Sequence, residues 1–187
     1  CILMSNSEMN ICSIIIGEDV KVENVSKDLD IDFHIENALI SGQIKVSKSS
    51  KKFLINLINV SDKKFDLNLK ILLNEESFLE LRDESDYNYG SGININSIMK
   101  KNSILEYFRL NNFKDKSKNT FSHNIELFSN CEFRDFNFSN GSKEMSNITK
   151  ISLNEKNSKY IGSGVVIADS TNCKNQLDIS HLSQSAV

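Results

Sequence analysis

A small residue recurs along the second half of this chain at nearly constant spacing. Ser77, Ser103, Cys131, Ser158 and Ser185 stand at intervals of 26, 28, 27 and 27 residues. An apolar residue follows each two positions later, at Leu79, Leu105, Phe133, Tyr160 and Val187. A polar residue precedes each, at Glu76, Asn102, Asn130, Asn157 and Gln184. Ahead of these marks lie Ile125 with Leu127, Ile151 with Leu153, and Ile179. Each unit reads as strand, turn, strand and longer loop. A strand-rich repeat with a fixed period points to a solenoid, in which no unit buries its apolar face without its neighbours.

The expected fold is therefore all-β, a right-handed parallel β-helix of about 27 residues per coil. Coils hydrogen-bonded along an axis lie about 4.8 Å apart, so residues one period apart stack. Apolar columns fill the interior, the small column occupies a sharp bend, and asparagines lie over one another as amide ladders. An antiparallel sandwich would also alternate, but would not require the fixed interval.

At 187 residues the chain suits one domain with a sizeable core. Residues 1–12 read as a lead-in and 13–187 as a single β-helix domain. Alternation marks Val20, Val22 and Val25, then Ile31, Phe33 and Ile35, then Phe53, Ile55 and Leu57, then Phe65, Leu67, Leu69 and Ile71. A turn is expected through Gly42. An acidic loop is expected at 82–94 and a basic one at 111–120. No stretch carries a capped helix. A net charge of −3 argues against a nucleic-acid surface, and no run approaches the roughly 20 apolar residues of a membrane span. The four cysteines, Cys1, Cys12, Cys131 and Cys173, form neither zinc spacing nor a disulfide framework, which suggests a reducing compartment. A chain opening on Cys1 reads as a fragment or a processed form.

The runs ESFLELRDES, GININSIMKKNSILEYFRLNN, SHNIELFSNCEFRDFNFSNG and ISLNEKNSKYIGSGVVIADS together resemble the β-helical core of the SufB/SufD family. The matching coils are 97–110, the histidine-containing 122–128, and the short piece ending at Asn140 and Gly141. SIIIGEDVKVEN is similar to the family's entry strand, without its usual proline. The resemblance spans about 13–187. It implies a non-enzymatic scaffold subunit of the SUF iron–sulfur cluster assembly system, working with a SufB-like subunit and the SufC-like ATPase. Asn124 stands where SufB-like chains carry a sulfur-accepting cysteine. An amide cannot accept a persulfide, because that chemistry needs a thiolate, so the resemblance is to SufD rather than SufB. The family's cluster-holding and SufC-binding parts lie farther toward the C-terminus, which implies a truncated or shortened member. The iron–sulfur cluster would then belong to the assembled complex, with none bound by this chain alone, since converging thiolates are lacking. The implied location is the cytoplasm, or the stroma of a plastid or other organelle.

Cys131 reads first as a small side chain at a turn and Cys173 as a loop thiol. Both are also candidates for metal or sulfur, with His123 and His181, which fall 58 residues apart. The commoner fate of such strand histidines is solvent, and His34 is expected to point outward. Asp83, Glu84 and Asp86 read as a solvated acidic loop rather than a cation site, which would need converging oxygens. Two further classes stay open: a carbohydrate-active β-helix protein, and a purely structural β-solenoid. The first would need Asp or Arg clustered on one exposed strand face, whereas the acidic residues here read as scattered in loops; the second would need secretion and regular repeats throughout, whereas the first third reads as irregular. An unfinished β-helix exposes strand edges that invite pairing. Ile179 and Val187 are therefore expected at an interface with a homologous partner or a second copy.

Overall fold

The computed structural model describes residues 9–49, 51–61, 63–84, 86–87, 90–113, 118–141, 144–167 and 172–182. It is an all-β solenoid of about five turns and about 27 residues per coil. The strands are β1 (Met9–Ile16), β2 (Val20–Glu23), β3 (Leu29–Glu36), β4 (Leu39–Val46), β5 (Lys52–Asn59), β6 (Asp66–Leu73), β7 (Phe78–Asp83), β8 (Asp86–Tyr87), β9 (Gly92–Met99), β10 (Ile104–Phe113), β11 (Lys118–Leu127), β12 (Glu132–Gly141), β13 (Glu144–Leu153), β14 (Lys159–Ile167) and β15 (Asn172–His181). The chain alternates between two sheets. One runs β14-β12-β10-β7-β5-β1-β2, with β8 beside β10, and the other β15-β13-β11-β9-β6-β4-β3.

The expected column is present. Phe53, Leu79, Leu105, Phe133 and Tyr160 are register partners in successive coils. The first four are fully buried. Across the interior, Ile44, Ile71, Ser97, Ile125, Ile151 and Ile179 form a second column. Alternation carries side chains to opposite faces, so each strand contributes one row to the core and one to solvent.

The corners account for the repeated marks. Glu76, Asn102, Asn130 and Asn157 have φ of 59°, 60°, 56° and 59°. This left-handed conformation is disfavoured for most L residues and tolerated best by Gly and Asn. The asparagines also ladder: Asn130 Nδ2 donates to Asn102 Oδ1 at 3.0 Å, and Asn157 Nδ2 to Asn130 Oδ1 at 3.1 Å. The next residue in each corner, Ser77, Ser103, Cys131 or Ser158, is buried. Ser77 and Ser158 close their turns by donating to the carbonyls of Asn74 and Glu155, at 2.6 and 2.7 Å. The fifth mark, at Gln184, Ser185 and Val187, lies outside the described residues.

The N-terminal end departs from the repeat. β1 begins at Met9, inside the expected lead-in, and pairs in parallel with β5. β2 folds back antiparallel on β1, and β3 pairs antiparallel with β4. Short turns suffice for antiparallel partners, whereas parallel ones need a crossover, so these two hairpins close one end of both sheets. Val25 lies in the link between β2 and β3 and is exposed. The expected turn at Gly42 is displaced: the chain reverses at Asn37 and Ala38, with φ of 49° and 68°. Gly42 sits within β4 opposite Phe33, whose ring would lie 2.1 Å from an added Cβ. Two positive φ angles define the type I′ hairpin, which favours Asn-Gly. Ala38→Gly is therefore expected to stabilise the protein by about 1 kcal/mol, measured as a higher urea midpoint at unchanged slope.

Candidate functional site

The interior changes character along the axis. In the first sheet one column runs Cys12, Ile55, Leu81, Tyr107, Asp135, Gly162. Its neighbour runs Ile14, Leu57, Asp83, Arg109, Asn137, Gly164. In the facing sheet, Leu67, Ile93, Phe121, Asn147 and Asn175 form one column, and Leu69, Ile95, His123, Thr149 and Leu177 the next. Apolar positions in the early coils thus become titratable or hydrogen-bonding ones in the later coils.

These polar groups are deeply placed. Asp83 is 0% exposed, His123 1%, Arg109 2% and Asp135 9%. Arg109 Nη2 donates to both oxygens of Asp135, at 3.3 and 3.2 Å. The guanidinium also lies 3.7 Å from the centroid of the Phe121 ring and 5.4 Å from that of Tyr107, a cation–π arrangement strengthened by exclusion of water. Tyr107 donates its hydroxyl to Asp83 at a long 3.5 Å. Burial, and then the Asp83 charge, push the Tyr107 phenol well up from its usual value. Burial raises the Asp135 carboxyl against the opposing pull of Arg109.

His123 is enclosed by the rings of Tyr107, Phe121 and Phe133, at 5.7, 6.2 and 5.3 Å between centroids. Its Nε2 shares a 2.8 Å hydrogen bond with Ser97 Oγ, and its Nδ1 has no partner. Burial, reinforced by the Arg109 charge, holds the imidazole well below its ordinary range. The unfolded chain therefore binds a proton below about pH 6.5 that the folded chain refuses. That stability is complete above the unfolded pKa and declines as pH falls, by up to about 1.4 kcal/mol per pH unit. His123→Leu is expected to flatten this dependence. Urea titrations of both proteins from about pH 7.5 to 5.5 check it, equal slopes counting against the assignment.

The residues singled out in the sequence do not converge. Cys131 is the buried corner residue, its thiol donating to the carbonyls of Lys100 and Met99 at 2.9 and 3.2 Å. Cys173 lies on strand β15, not in a loop, and is exposed. His123 is in the core rather than solvated. His181 stands two coils away, in the Leu127–Leu153 column. His34 is exposed, 3.2 Å from Asp32. Asp83 is not part of a solvated acidic cluster: it faces inward from β7, while Glu84 is exposed and the Asp86 side chain lies outside the described residues. Among the described residues no group of three or more His, Cys, Asp or Glu is placed to hold a metal. Asn124 faces outward and ladders onto Asn96 at 3.1 Å. Nor are the charged side chains confined to loops. Glu80, Glu106 and Arg134 share one outward column, and Arg134 bonds both Glu106 and Glu132.

Asp83, Arg109, Asp135 and Asn137 were legible only by extending the alternation four and six residues past each small mark.

No family model, curated protein or solved structure matches this chain. Among the described residues no helix is long and apolar enough to cross a membrane.

Proposed function

We propose that this chain is an assembly subunit rather than an enzyme, a SufD-like scaffold that joins a SufB-like solenoid and a SufC-like ATPase in iron–sulfur cluster assembly. The observation that carries this reading is the parallel solenoid itself, two sheets whose ladders run in register from coil to coil. Among the described residues β14 and β15 each pair on one side only. On this reading those ladders are where a partner's strands pair. Leu177 and Ile179, which continue interior columns, are 51% and 42% exposed there. A partner coil of the same pitch would extend both ladders and bury those side chains. The cluster, on this reading, belongs to the assembled complex. Val187, the other expected interface residue, lies outside the described residues.

Sedimentation of the chain alone, and mixed with a SufB-like subunit and a SufC-like ATPase, tests the proposal. A heteromeric complex is expected. Ile179→Pro removes a ladder donor on the edge strand and is expected to weaken association at least tenfold, with the far-ultraviolet dichroism unchanged. A strict monomer at high concentration that binds neither subunit would rule the reading out.

A further inference from the structure

The outward side of the first sheet carries aromatic rings where alternation leads to solvent. Asn56, Arg82, Phe108, Phe136 and Ser163 form one outward column across successive coils. Phe108 and Phe136 pack together, 6.4 Å between centroids and tilted by 45°. Leu110, the next outward residue of β10, is 44% exposed. Exposed apolar clusters rimmed by polar residues mark sites of interaction. This one is built on β7, β10 and β12, which lie between β5 and β14 in the sheet.

The cluster walls a groove of about 380 Å³, within the range of small-molecule sites. Glu80, Arg82 and Glu84 complete its lining. Arg82 is committed to Glu80: its Nε and Nη2 lie 2.7 and 2.6 Å from Glu80 Oε1. Glu84 is exposed, and its carboxylate has no ionic or hydrogen-bond partner among the described residues. The neighbouring outward charges, Glu106, Glu132, Arg134 and Lys159, are matched to one another. The groove therefore presents one uncompensated negative charge, open to solvent, at the side of an apolar wall.

We infer that this groove binds a small organic cation with an apolar body, an alkyl- or arylalkyl-ammonium. Its nitrogen meets the Glu84 carboxylate, and its hydrocarbon part lies on Phe108, Leu110 and Phe136. An anionic ligand would meet Glu84 with like charge, while Arg82 is already held by Glu80. A sugar would bring several hydroxyls, each needing a partner on burial, to a wall with one unengaged carboxylate. A neutral hydrocarbon would strip water from Glu84 with nothing in exchange. The organic cation supplies the missing charge and fills the apolar part together.

Isothermal titration and amide chemical shifts test this on the full chain. The probe is 2-phenylethylammonium chloride, with the near-isosteric 2-phenylethanol and sodium phenylacetate as controls. Saturable binding of the ammonium is expected, roughly tenfold tighter than either control, with shifts at Phe108, Leu110 and Phe136. Glu84→Gln, at an exposed position, is expected to keep the fold and erase the preference for the ammonium over the alcohol. Leu110→Lys sets a cation on the groove wall, and is expected to weaken ammonium binding by a similar factor with thermal stability unchanged. Absence of ammonium binding, a control binding as tightly, or an undiminished preference in Glu84→Gln would each overturn the assignment. Failure to associate with a partner solenoid would leave it standing, because the titration is made on the chain alone.

Discussion

Asp135→Ala is expected to destabilise the protein by about 3–5 kcal/mol, because it strands a buried guanidinium. Arg109 already has two nitrogens without partners, and Asp135 takes the hydrogen bonds of the third. Alanine removes that acceptor and its charge together, while the stacking on Phe121 and Tyr107 remains. Replacing both members of a buried pair with apolar groups of similar size is often neutral or stabilising. Arg109→Met combined with Asp135→Leu is therefore expected to recover most of the loss. Urea unfolding of the single and double variants measures the coupling. A double variant as unstable as Asp135→Ala would show that the pair is not the origin of the effect.

Phe133→Ala is expected to cost a similar amount, about 3–5 kcal/mol, through lost apolar burial and the cavity left behind. Phe133 is fully buried, stacks on Tyr160 at 5.5 Å between centroids, and meets the edge of His123 at 5.3 Å. Its column links Leu105 below to Tyr160 above. In a solenoid each coil is held chiefly by its nearest neighbours. The damage is therefore expected to be uneven, with hydrogen-exchange protection falling most in β12 to β15 and least in β5 and β6. Uniform loss of protection would mean that the coils unfold as one unit.

The repeat was legible because a solenoid writes its geometry along the chain. Each corner needs a residue that tolerates φ near 60° and then a small one. Asparagine followed by Ser or Cys meets both demands at 102–103, 130–131 and 157–158. The early hairpins were less legible. Asn37-Ala38 carries a weak turn signal because alanine is a poor occupant of the left-handed region, whereas Gly42 drew attention although its role is to admit the Phe33 ring. The polar interior was missed for another reason. In a linear reading, Asp83 belongs with Glu84 and Asp86, and His123 looks like any strand histidine. Only the inward or outward parity of each position, counted from the corner, separates Asp83 from its neighbours.

The sequence by itself determined the period, the strand-rich class and the stacking of Leu79, Leu105, Phe133 and Tyr160. These follow from local alternation and corner chemistry, which depend on residues close together in the chain. Tertiary structure alone decided that Arg109 meets Asp135, 26 residues away, and that three aromatic rings enclose His123. Those outcomes depend on which side chains from different coils share a space without water, and on the cost of leaving a charge or a donor there unmatched.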